Sequence, residues 1–71
     1  MNTNEIASAI KWHRENLNYS SKYVASHLNL SQSIYSKLEN SKREITVSEI
    51  NNLSKLFNLT IDEILKAPFI E

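Results

Sequence analysis

A chain with no glycine and a single proline, Pro68, has to end its helices by some means other than the residues that ordinarily break them. Asparagine takes over that part. It is the next-best residue for the left-handed backbone that closes a helix, and Ser or Thr is a favoured cap for the helix that follows. The two roles fall together at Asn18-Tyr19-Ser20, Asn29-Leu30-Ser31 and Asn58-Leu59-Thr60. Each triplet reads as helix stop, apolar plug and helix start.

Between these marks apolar residues recur with the 3.6-residue period of a helix, and no stretch alternates apolar with polar as a strand would. The periodicity predicts an all-α fold with five helices, over roughly 3–16, 20–28, 31–39, 46–57 and 60–66. Their inward faces are Ile6, Ala9, Ile10, His13 and Leu17; then Val24, Ala25 and Leu28; then Tyr35 and Leu38; then Val47, Ile50, Leu53, Leu56 and Phe57; and last Ile61, Ile64 and Leu65. Residues 40–44 form a polar loop. A chain of 71 residues cannot supply two cores, so a single domain over 1–71 is expected, with oligomerisation as its remaining aid to stability. Cysteine is absent, which excludes disulfides, thiolate metal sites and cysteine nucleophiles; two histidines are too few for a closed zinc site. The polar start, Met1 to Glu5, and the lack of a long apolar run point to a cytoplasmic protein of bacterial or phage type.

The formal net charge is zero, yet the charges are not evenly spread. Up to Arg43 the chain carries Lys11, Arg14, Lys22, Lys37, Lys42 and Arg43 against Glu5, Glu15 and Glu39; from Glu44 onward two cations face five acids. A basic first part joined to an acidic second part is a sign of nucleic-acid contact, though a weak one alone.

The caps divide the helices into two kinds. Asn2 with Glu5, Thr46 with Glu49 and Thr60 with Glu63 have the spacing of a capping box, in which the carboxylate closes back on the cap and satisfies the helix dipole. The helices starting at Ser20 and Ser31 open instead with Ser21-Lys22-Tyr23 and Gln32-Ser33-Ile34. Without an acid in the first turn, their positive ends stay open to an external anion such as phosphate.

Two short helices joined at Asn29-Leu30-Ser31 have the proportions of the motif that lays its second helix in the DNA major groove. From residue 10 to 65 the chain resembles the Cro and phage-repressor helix-turn-helix family, also called the Xre family, leaving 66–71 as a C-terminal tail. The matching residues are Arg14, Ser20, Val24-Ala25, Leu28, Leu30-Ser31, Ser36-Lys37-Leu38-Glu39-Asn40, Lys42-Arg43 and the closing segment Leu53 to Leu65. The resemblance implies a five-helix lambda-repressor-like fold with base contacts from Gln32, Ser33, Ile34 and Lys37. Gln pairs with adenine and Lys donates to guanine, while Ile34 either meets a thymine methyl or sits partly in the core. It implies backbone contacts from Ser20, Ser21, Lys22, Ser31, Asn40, Lys42 and Arg43, and an ion pair between Arg14 and Glu39. This chain departs from the family at Ser21, where glutamine is usual; at Asn29, Ser41 and Asn58, where glycine is usual; and at Tyr35, whose ring is expected to be buried with its hydroxyl at the rim.

No catalytic group emerges. His13 lies beside the inward stripe and is expected to be a hydrogen-bonded structural residue, His27 to be exposed, and Trp12 either to cover the fifth helix or to sit in an interface. The carboxylates are accounted for by caps and by Arg14, and no nucleophile sits beside a base, so neither enzyme activity nor a cofactor is expected. The expected function is a sequence-specific transcriptional regulator, a repressor, that binds a near-palindromic operator on double-stranded DNA as a homodimer through Ile61, Phe69 and Ile70. Alternatives on the same fold are an antitoxin with a toxin partner and a restriction-modification controller.

Overall fold

The computed structural model describes residues 3–68. Its elements are α1 (Thr3–Asn16), α2 (Ser21–His27), α3 (Gln32–Glu39), α4 (Val47–Phe57) and α5 (Ile61–Ile64), with no strand among the described residues. Four of the five starts are decided by a hydroxyl. Ser20 Oγ accepts from the Tyr23 amide at 3.0 Å and Ser31 Oγ from the Ile34 amide at 3.1 Å. Thr46 and Thr60 do the same for Glu49 and Glu63, each of which returns a carboxylate oxygen to the cap's own amide. Losing one such cap costs about 1 kcal/mol. The expected box at Asn2 and Glu5 lies partly outside the described residues.

The stops are equally local. Asn18, Asn29, Ser41 and Asn58 have φ of 61°, 56°, 63° and 56°, the left-handed conformation that glycine would enter without strain. Each donates its amide to the carbonyl three residues back, and the next residue reaches five back: Tyr19 to Arg14, Leu30 to Ala25, Lys42 to Lys37 and Leu59 to Ser54. This paired closure satisfies carbonyls that the helix ends would otherwise leave open. After three of the stops an apolar residue, Tyr19, Leu30 or Leu59, packs on the core. After Ser41 comes the exposed Lys42, so that stop leads into a solvent loop.

The core gathers Ile10, Val24, Ala25, Leu28, Tyr35, Leu38, Leu53, Phe57 and Ile64 from all five helices. Each large apolar side chain buried there contributes about 1.5–3 kcal/mol. α3 packs on α2 and α1, and α5 on α4 and α1. His13 is buried and its Nε2 donates to the Ile64 carbonyl at 2.9 Å, fastening α1 to the last residue of α5. Trp12 stands edge-on to His13, with ring centroids 4.9 Å apart.

Four expectations differ, the first being Ile61, which is 36% exposed although periodicity placed it inward. Leu17 is exposed, because α1 ends at Asn16 and the chain has left the helical register before the turn at Asn18. Val47 is 75% exposed; it opens α4 and lines a surface groove. α5 is a single turn, since the Lys66 amide bonds to the carbonyl of Glu63 and the tightened chain carries Ala67 into the interior.

Candidate nucleic-acid interface

The starts of α2 and α3 sit next to each other and are chemically alike. Each has a serine cap and no acidic residue in its first turn. At α4 and α5 a glutamate occupies that place, and the Thr60 amide holds Glu63 below its ordinary pKa. The partial positive charge of α2 and α3 is therefore left facing solvent. A side-chain bond ties the two starts together, with Gln32 Nε2 donating to Ser21 Oγ at 3.1 Å. Gln32 keeps its carbonyl oxygen and a second N–H for another partner.

On α3, Tyr35 and Leu38 point into the core while Gln32, Ser33, Ser36 and Lys37 are exposed. Positions i, i+1, i+4 and i+5 lie on one face of a helix, so the three polar residues expected to read bases are presented together. Ile34 is half-buried and its amide is taken by the cap.

The helix is held from behind by a partly buried polar cluster. Arg14 Nε donates to Glu39 Oε2 at 2.6 Å and Nη2 to Oε1 at 3.1 Å, while Nη1 donates to the Tyr19 carbonyl at 2.8 Å. The two side chains are only 13% and 7% exposed. Glu39 holds the Arg14 guanidinium above its already high pKa. Tyr35 donates its hydroxyl to the same carboxylate, so that hydroxyl is buried in the cluster and does not reach the rim as expected. Burial first, and then the Glu39 carboxylate, push its phenol well above the ordinary range. The Arg14–Glu39 pair expected from the family resemblance is present, and it joins α1, the α1–α2 turn and the C-terminal end of α3.

The loop after α3 departs from the expected arrangement of contacts. Asn40 turns its amide nitrogen back on Ser36, donating to the backbone carbonyl at 2.8 Å and lying 3.3 Å from the hydroxyl oxygen. Arg43 sets both arms of its guanidinium on Glu49, Nη1 to Oε1 at 2.8 Å and Nη2 to Oε2 at 2.7 Å. Arg43 is thus not the open loop cation that its position suggested; Lys42 is exposed and has no ion pair among the described residues. The sequence signal for the Arg43–Glu49 pair was present but unused: an arginine three residues before a Thr-x-x-Glu box lies within reach of the same carboxylate. The Gln32–Ser21 bond had no such signal, because it depends on how α2 and α3 pack.

Of the remaining residues singled out, His27 is exposed and lies edge-on to Tyr23 with centroids 4.7 Å apart. Among the described residues no three His, Cys, Asp or Glu side chains gather as a metal site, and no helix is long and apolar enough to cross a membrane. Ile61 lies at the rim of the groove that also holds Val47, whereas Phe69 and Ile70 fall outside the described residues. A family model described as helix-turn-helix matches residues 10–64. No curated protein and no solved structure matches.

Proposed function

The chain belongs to this helix-turn-helix family, of the Cro and phage-repressor type, and from that premise we propose that it represses transcription by binding a near-palindromic operator as a homodimer. The DNA-binding helix-turn-helix character follows from the family; the reading goes further in assigning the contacts. The observation that carries it is the pair of adjoining helix starts without carboxylates, with Gln32, Ser33 and Lys37 exposed on the same helix as one of them. Phosphates meet the first-turn amides of α2 and α3 beside Ser20, Ser21 and Ser31, and meet Lys22 and Lys42. With its register fixed this way, α3 offers Gln32 to adenine and Lys37 to guanine in the major groove.

A second copy is part of the proposal because one module of this size makes few phosphate contacts, and half-sites one helical turn apart double the readout. The surface that supports pairing is an apolar groove of about 180 Å³ lined by Ile6, Ile45, Val47, Ile50, Ile61 and Leu65. It lies where the loop following α3 enters α4, with Ile6 of α1 and Ile61 of α5 on its other sides. Selection of bound duplexes from a random pool tests the whole reading. Enrichment of two inverted half-sites about 34 Å apart centre to centre is expected; failure to enrich any sequence rejects it.

A further inference from the structure

The carboxylate of Glu49 serves two masters at once. Its Oε1 accepts from the Thr46 amide at 3.0 Å, closing the start of α4, and both oxygens receive Arg43. The pair is unequally buried, with the Arg43 side chain 30% exposed and that of Glu49 11%. Arg43 follows Lys42 directly in the loop that leaves α3, the place from which a cation would reach the DNA backbone. Of the six cations in the basic first part, two are therefore engaged by carboxylates of the same chain, Arg14 by Glu39 and Arg43, at the surface, by Glu49.

We propose that Glu49 sets the DNA affinity of this chain by withholding Arg43 from phosphate, so that the loop contributes Lys42 alone. The same two N–H groups of Arg43 cannot serve a carboxylate and a phosphate together. Leaving Glu49 would strand a largely buried negative charge with Thr46 alone beside it, in exchange for a phosphate that water and counterions already solvate. The carboxylate keeps the arginine. Phosphate contacts strengthen binding to every sequence alike, so withholding one lowers affinity for all DNA by the same factor and leaves the preference among bases unchanged. Glu49 is in this sense an affinity-setting residue that need not touch DNA.

The inference rests on the DNA-binding reading, and the test separates the two. Binding of the full chain to a labelled random-sequence duplex is followed by fluorescence anisotropy between about 50 and about 200 mM salt, where each phosphate contact adds a slope of about 0.9 in log affinity against log salt. Wild type, Glu49→Gln, Arg43→Gln and the double variant are compared, glutamine being a residue that still completes the capping box. E49Q should steepen the slope by about 0.9, equivalent to an extra affinity loss of roughly threefold over that range. R43Q should keep the wild-type slope, and the double variant should return to it. A flatter slope for R43Q overturns the proposal, because Arg43 would then already be on phosphate. So does an unchanged slope for E49Q, or a gain that survives in the double variant and so comes from lost negative charge alone. If E49Q melts below the assay temperature, R43Q decides the matter by itself. A wild-type chain that shows no salt-dependent binding overturns the DNA-binding reading and this inference together.

Discussion

Replacing Arg14 with Met keeps an unbranched stem in place and removes only the guanidinium, which makes it a clean probe of how the recognition helix is anchored. The substitution deletes the two bonds to Glu39 and the one to the Tyr19 carbonyl, leaving the Glu39 carboxylate with the Tyr35 hydroxyl alone. Stranding one member of a fully buried ion pair costs about 3–5 kcal/mol. Here the cluster touches the rim and one donor remains, so the loss falls to about 2–3 kcal/mol, with about 1 kcal/mol more for the Tyr19 bond. In a domain of this size 1 kcal/mol moves Tm by about 4–8 °C, and the total stability is only about 4–10 kcal/mol. Arg14→Met should therefore melt about 12–32 °C below wild type by circular dichroism. Because the penalty comes from an unpaired buried charge, adding Glu39→Gln should recover about 1–2 kcal/mol, since a neutral amide still accepts from Tyr35 and needs no cation. DNA affinity should fall with the single change, α3 having lost its tie to α1. A single variant that melts within 2 or 3 °C of wild type, or a double variant no more stable than the single one, would refute the reasoning.

Ser41→Gly should raise stability by about 0.5–1 kcal/mol, because the left-handed backbone at φ 63° then carries no Cβ; a lower Tm would show that the position is not strained. Glu49 is held below its ordinary 4.5 first by Arg43 and also by the Thr46 amide, so its contribution is complete above that pH and disappears as the pH falls below it toward the depressed value. Wild type should lose Tm below about pH 4.5 more steeply than E49Q, and parallel pH profiles would remove Glu49 as the cause. Lys42→Ala should weaken binding to all DNA sequences alike and flatten the salt slope by about 0.9, whereas Gln32→Ala should change which bases are selected; the reverse pattern would exchange their roles. Val47→Asp, placed on a side chain that is 75% exposed, should leave the monomer folded and abolish pairing by sedimentation, and an unchanged association would move the interface elsewhere.

What the sequence determined by itself is the set of helix boundaries. A cap is a hydroxyl oxygen accepting from an amide three residues on, and a stop is a left-handed residue whose closing bonds reach three and five residues back. Such interactions close within one turn of chain, so Ser20, Ser31, Thr46 and Thr60 announce the starts, and Asn18, Asn29 and Asn58 the ends, before any packing is known. The absence of acids from the first turns of α2 and α3 is legible for the same reason. The Arg14–Glu39 pair spans 25 positions and was visible only through the resemblance to a known family.

Tertiary structure decided which side of each boundary is buried and which polar groups are free. Periodicity put Leu17 and Val47 on inward stripes, but a stripe has no end marked in the sequence, and both lie where a helix stops or starts beyond the reach of its neighbours. Lys42 and Arg43 are adjacent cations in one loop, yet one faces solvent and the other is bound across the loop to Glu49. Tyr35 could have sent its hydroxyl to the rim; instead α1 delivers Arg14 beside Glu39, and the hydroxyl follows the charge inward. The partners of long polar side chains are chosen by where packing carries the backbones, and that is information no local spacing contains.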